Sequence, residues 1–126
     1  MRVLAVEDDP DTLEMLKFVL AESGAEVETA ASTSEALSTL ERWHPNAMIS
    51  DLAMPDEDGY DLILKLRARG PEQGGDVPAA ALSAYTTEED RTRARAAGYQ
   101  MHVSKPVDPE QLIAAVASLV GLPDNK

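Results

Sequence analysis

The chain has 126 residues, 44% hydrophobic and 27% charged, which suits one globular domain built around a single core. Its 11 basic and 23 acidic residues give a formal net charge of -12, which opposes attraction to nucleic-acid phosphates or anionic lipid and argues against direct nucleic-acid binding. Cysteine is absent, excluding disulfides, cysteine nucleophiles and thiolate metal sites, and no apolar run approaches the ~18 residues of a membrane-inserted span.

The run Val3-Leu4-Ala5-Val6 predicts a strand ending at Glu7-Asp8-Asp9-Pro10. Leu13, Leu16, Val19 and Leu20 then recur at helical spacing, with Asp9 as N-cap, Pro10 at the first helical position and Gly24 at the C-terminal end. A short extended piece over 26–29 leads to a capping box, Ser32-Thr33-Ser34-Glu35. The helix it opens buries Ala36, Leu37 and Leu40 and is stopped by His44-Pro45. Ala47-Met48-Ile49-Ser50 predicts a third strand ending at Asp51, and Leu62, Ile63 and Leu66 mark a third helix opening near Asp58-Gly59. The turn-rich stretch 70–76 predicts a surface loop. After it come a strand over 77–82, a helix over 87–97 ending at Gly98, and a strand over 99–103 ending at Ser104-Lys105-Pro106. Asp108-Pro109-Glu110-Gln111 predicts another capping box, followed by Leu112, Ile113, Val116 and Val120 on one helical face.

Alternating strands and helices imply a parallel sheet covered on both faces, because parallel crossovers are right-handed and need a connecting element above the sheet. Ligands of such sheets gather at the carboxyl ends of the strands, where Glu7, Asp8, Asp51, Ser83 and Lys105 all fall. Three carboxylates there repel one another unless a proton or cation intervenes, and Mg²⁺, which takes oxygen ligands and keeps several waters, leaves such a site open to a phosphoryl group. Lys105 would add a second positive charge and Ser83 a hydroxyl donor for phosphoryl oxygens, with a carboxylate as nucleophile. Taken singly, each residue has a blander reading: Glu7-Asp8-Asp9 as an acidic cluster at a helix start, Asp51 as a turn residue, Lys105-Pro106 as a loop. Their convergence at separate strand ends of one sheet favours a site.

Val6-Glu7-Asp8-Asp9, the run from Asp51 through Pro55 to Gly59, Leu82-Ser83-Ala84 and Lys105-Pro106 together resemble the receiver domain of response regulators, over nearly the whole chain. The resemblance implies a flavodoxin-like (βα)5 fold, a doubly wound five-stranded parallel sheet with helices on both faces. It also implies Asp51 as acceptor from the phosphohistidine of a histidine kinase or histidine phosphotransfer protein, Asp8 and Asp51 as direct Mg²⁺ ligands, Glu7 as a ligand through water, and the Ala53 backbone carbonyl as the remaining protein ligand. The expected function is a two-component signalling switch, not a turnover enzyme, which loses its phosphoryl group slowly.

Some positions depart from the family. The switch position three residues before the lysine, usually Tyr or Phe, is His102, and its hydroxyl partner is Ser83 where Thr is commoner. His102 is thus either a modified switch or a half-exposed strand residue. Ala53 cannot orient a hydrolytic water, and Tyr85 is placed by the resemblance beside the same approach path, so both are expected to control dephosphorylation. Trp43 and the methionines read as packing residues. Arg91, Arg93 and Arg95 stand on the fourth helix, which with the fifth strand is the implied surface for a downstream protein. The alternative is a solvated face paired with Glu88, Glu89 and Asp90.

Two rival classes are weaker. A Mg²⁺-dependent phosphohydrolase with an aspartate nucleophile needs a second acid two residues on, where this chain has Ala53. A pseudo-receiver that only binds partners would not need the intact Glu7, Asp8, Asp51, Ser83 and Lys105 set. The receiver is expected over 1–121 with a tail over 122–126, in the cytoplasm, as a single-domain regulator or as part of a hybrid kinase. The run 100–106 and the short tail favour the hybrid.

Overall fold

A computed structural model describes residues 1–54, 56–84 and 87–121. Five strands form one parallel sheet in the order β2-β1-β3-β4-β5: β1 (Arg2–Val6), β2 (Glu26–Ala30), β3 (Ala47–Asp51), β4 (Ala79–Ser83) and β5 (Met101–Ser104). The helices are α1 (Pro10–Glu22), α2 (Thr33–Trp43), α3 (Gly59–Arg67), α4 (Glu88–Ala97) and α5 (Pro109–Leu119). This is the flavodoxin-like (βα)5 arrangement. Alternation along the strands divides the core into two layers. Leu4, Val6 and Met48 point to Leu40, Leu62, Ile63 and Leu66, while Val3, Ala5 and Ile49 point to Leu16, Leu20, Leu112 and Val116.

Differences from expectation lie at element ends and have local causes. Pro78 has no amide hydrogen for the sheet ladder, and the Val77 N–H donates back to Gly74 O, so β4 begins at Ala79. The Tyr99 N–H closes the end of α4 by donating to Ala94 O, so β5 begins only at Met101. The loop over 70–76 contains a short 3₁₀ turn, Pro71–Gln73. Ser32 caps α2 by accepting from the Glu35 N–H, but the Glu35 carboxylate accepts from Ala31 N–H, one residue earlier than a reciprocal box requires. Asp108 caps α5 alone, accepting from the Glu110 N–H. The reciprocal box instead opens α3, where the Asp58 carboxylate accepts from the Asp61 N–H and Asp61 accepts from the Asp58 N–H.

Arg67, at the end of α3, holds two otherwise separate backbone segments, the loop before β4 and the end of α4. Its guanidinium donates to Val77 O at 2.6 Å, to Gly75 O at 3.1 Å and to Gly98 O at 2.7 Å, and also reaches Gln100 Oε1, which accepts from the Ala79 N–H. Arg67→Ala leaves these carbonyls without their charged donor and is expected to cost about 3 kcal/mol in urea unfolding, with Arg67→Lys recovering little because an ammonium cannot span the fork. A loss well under ~1 kcal/mol would show that water replaces the guanidinium.

Candidate functional site

The chain leaves β1 for β2 on one side and later crosses to β3 on the other, so the carboxyl ends of β1 and β3 border the crevice where the sheet changes direction. Glu7 and Asp8 follow β1, and Asp51 ends β3. Ser83 ends β4, and Lys105 follows β5. Glu7 and Asp51 are only 1% and 3% exposed, Asp8 is exposed and Ser83 buried. Carboxylate oxygens of Glu7, Asp8 and Asp51 all lie within 4.8 Å of one another. Lys105 Nζ stands 3.1 Å from Glu7 Oε1 and 3.2 Å from Asp51 Oδ1. The Ala53 N–H donates to Asp51 Oδ1 at 3.3 Å, and the Asp9 N–H donates to Glu7 Oε2 at 3.2 Å.

The crowding shifts protonation. Burial pushes the Glu7 carboxyl up to about 7 from its ordinary 4.5; the Asp9 amide opposes the rise, neighbouring Asp51 adds to it, and Lys105 opposes it. Burial alone would lower the Lys105 pKa, but bonds to Glu7 and Asp51 outweigh it and the net shift is upward. A carboxyl raised in the folded state stabilises the fold below its unfolded pKa, and that stability is lost as pH rises through the folded pKa. In chelator, the protein is therefore expected to lose about 2–3 kcal/mol between pH 4.5 and about 7 on account of Glu7. Glu7→Gln, followed by denaturant melts across that range, should remove this portion of the slope, and an unchanged slope would contradict it.

The cluster fits a hard divalent cation. Octahedral oxygen ligands about 2.1 Å from Mg²⁺ sit about 3–4 Å apart, and the three carboxylates already bring oxygens within 4.8 Å of one another. The donor set is all oxygen, and one lysine ammonium faces three carboxylates, which leaves an excess of negative charge for a cation to offset. Ala53 is exposed beside this cluster. His102 lies half-buried on β5, beside Arg91 and Arg95 of α4, and Tyr85 lies outside the described residues.

The family model described as the response regulator receiver domain matches residues 3–117. The chain belongs to this family. A 14.6 kDa protein of Leptolyngbya boryana, from the sodA1 3′ region, is 47% identical over 116 residues, covering 92% of this chain and 87% of that one. The transcriptional regulatory protein PrrA of Mycobacterium leprae is 38% identical over 119 residues, covering 94% of this chain but 49% of PrrA, so the receiver spans about half of that relative. Among solved structures, the chemotaxis protein CheY4 of Vibrio cholerae superposes with a TM-score of 0.87 at 30% identity, covering 94% of this chain and 97% of that one. The receiver domain of the Pseudomonas aeruginosa sensor histidine kinase PA1611, described with a magnesium ion coordinated in its active site cleft, gives 0.85 at 29% identity, covering 95% and 97%. Receiver domains are signalling modules that interact with histidine kinases or phosphotransfer proteins and generally bind Mg²⁺ at an acidic site. Among the described residues, no helix is long and apolar enough to cross a membrane.

Several contacts around this receiver site are not visible in the sequence. Gly59 packs directly on the β3 end, since a Cβ there would meet Asp51 O at 2.5 Å. The buried Tyr99 hydroxyl donates to Gly59 O at 2.8 Å, and the Arg93 guanidinium lies 3.9 Å from the centroid of the Tyr60 ring. Among the described residues, Arg91, Arg93 and Arg95 have no carboxylate within ion-pair distance, and Asp90 instead accepts from Thr87. The alternative pairing with Glu88, Glu89 and Asp90 is thus absent among the described residues. Trp43 is half-buried, with the Arg2 guanidinium 5.5 Å from its ring centroid.

Proposed function

We propose that Asp51 accepts a phosphoryl group from a phosphohistidine of a histidine kinase or phosphotransfer protein, with Mg²⁺ held beside it, and that the modified domain passes this state to a downstream protein. The observation that carries the reading is Asp51 itself: a buried strand-end carboxylate contacted by Lys105 Nζ at 3.2 Å and clustered with Glu7 and Asp8. Asp8, Asp51 and the Ala53 carbonyl would hold the metal directly and Glu7 through water, and bound Mg²⁺ would neutralise charge on the phosphoryl oxygens. An Asp51 oxygen attacks phosphorus in line, the O–P bond forming as the N–P bond to the donor imidazole breaks, and the departing imidazole takes its proton from solvent. Lys105 and the Ser83 hydroxyl bind the transferred oxygens. Incubation with a small-molecule phosphodonor is expected to add one phosphoryl mass per chain only when Mg²⁺ is present; equal labelling in chelator would overturn the reading.

The receiver unit is proposed to extend over 1–121. Its output side is proposed to include α4 and β5, where a hollow of about 270 Å³ is lined by Arg91, Arg95, Gln100 and His102. Arginines that pair with no carboxylate among the described residues, in a chain of net charge -12, favour an acidic docking segment. His102 lines this hollow and is the candidate modified switch.

The phosphoryl group is expected to leave slowly. Hydrolysis needs a water in line behind phosphorus, and the Ala53 methyl cannot orient one. Ala53→Asn should speed phosphate release about tenfold at saturating Mg²⁺, and an unchanged rate would show that position 53 is neutral.

A further inference from the structure

Apart from the β5 position held by His102, the packing around α3 supplies a second route from Asp51 to the rest of the molecule. Helix α4 is the least anchored of the five α-helices: of its ten residues only Ala94 is buried, against two in α1 and four each in α2, α3 and α5. Elements with few buried contacts are the ones whose local stability changes most readily. Two ties join the neighbourhood of α4 to the first turn of α3. The Arg93 guanidinium lies 3.9 Å from the Tyr60 ring centroid, and the Tyr99 hydroxyl, just past the end of α4, donates to Gly59 O at 2.8 Å. That same turn abuts the phosphoacceptor strand, for the Gly59 N–H donates to Leu52 O at 3.1 Å and there is no room for a Cβ between Gly59 and Asp51 O. A shift of the Asp51 backbone therefore reaches Gly59 and Tyr60 directly.

We propose that the first turn of α3 relays the state of Asp51 to α4, with Tyr60 and Arg93 as the coupling pair and the Tyr99 hydroxyl keeping the turn in place. This relay rests on the receiver reading of Asp51. The Tyr60–Arg93 contact joins α4 to the start of α3, whereas the Arg67 bonds to Gly98 O join it to the other end, so a change in the position or order of the first turn of α3 is felt by α4. Coupling between sites is a free energy, and deleting either member of the pair should remove the same portion of it.

Amide hydrogen exchange over 88–97 measures the response in unmodified protein and in protein treated with a small-molecule phosphodonor and Mg²⁺, with an intact-mass spectrum of each sample. In the parent, phosphorylation is expected to change α4 exchange at least about fivefold. In Arg93→Gln, an exposed change that leaves the core intact, and in Tyr60→Leu, the response should fall below about twofold, with no further loss in the double variant. Tyr99→Phe should weaken it as well, while His102→Ala keeps it. A full phosphoryl mass with the parental α4 response in both Arg93→Gln and Tyr60→Leu would overturn the relay alone, as would a response lost only in His102→Ala. No added mass in the parent would overturn the receiver reading and the relay with it.

Discussion

Gly59→Ala is expected to destabilise the domain by about 3 kcal/mol and to slow phosphorylation of Asp51 about tenfold or more. The added methyl would fall 2.5 Å from Asp51 O and 2.8 Å from the Leu52 Cα. Both are backbone atoms at the end of a buried strand, so no side chain can swing aside to make room. Relief requires either α3 to withdraw, which strains the bonds from the Gly59 N–H to Leu52 O and from the Tyr99 hydroxyl to Gly59 O, or β3 to shift, which pulls on the bond from the Leu52 N–H to Leu82 O. Either response moves the Asp51 carboxylate relative to Glu7 and Lys105, and an in-line transfer is sensitive to displacements of an ångström.

Gly24→Ala serves as the control. Its φ of +101° makes a side chain costly, but nothing lies within 4 Å of the new methyl, so it should lose about 1–2 kcal/mol without slowing phosphorylation. Urea melts and initial phosphorylation rates for both variants test the argument. Parental stability and rate in Gly59→Ala would show that the close approach does not position Asp51.

The contrast between these glycines also marks what could be read from the chain alone. Gly24 follows a run of helical periodicity and is recognisable as a terminator, whereas the need for Gly59 arises from a backbone that approaches only in three dimensions. The same division holds elsewhere. Short apolar runs ending in Glu7, Asp51, Ser83 and Lys105 announced both the parallel sheet and its carboxyl edge, because strand polarity forces their ends together. Arg67, Tyr60 and Tyr99 carried no such signal: an arginine on a surface-like helix position and a tyrosine before a strand look ordinary until the carbonyls of Gly75, Val77 and Gly98, or Gly59, are seen to converge on them. The early start assigned to β4 has the opposite origin. Val77 and Pro78 continue an apolar pattern, but proline cannot donate to the ladder, so local chemistry overrode periodicity.

The most direct test of the whole account is the site of phosphorylation. Glu7 and Asp51 are both buried and both contacted by Lys105, but burial holds Glu7 toward its neutral form, and Asp8 is exposed, which leaves Asp51 as the acceptor. Asparagine at position 51 keeps the volume and a hydrogen-bonding oxygen but removes the anionic nucleophile, so the fold should persist while the chemistry stops. Intact-mass spectrometry of parent and Asp51→Asn, each treated with the same phosphodonor and Mg²⁺, is expected to show one added phosphoryl group on the parent and none on the variant. Equal labelling of the folded variant would contradict the account, because the phosphoryl group would then reside on another residue.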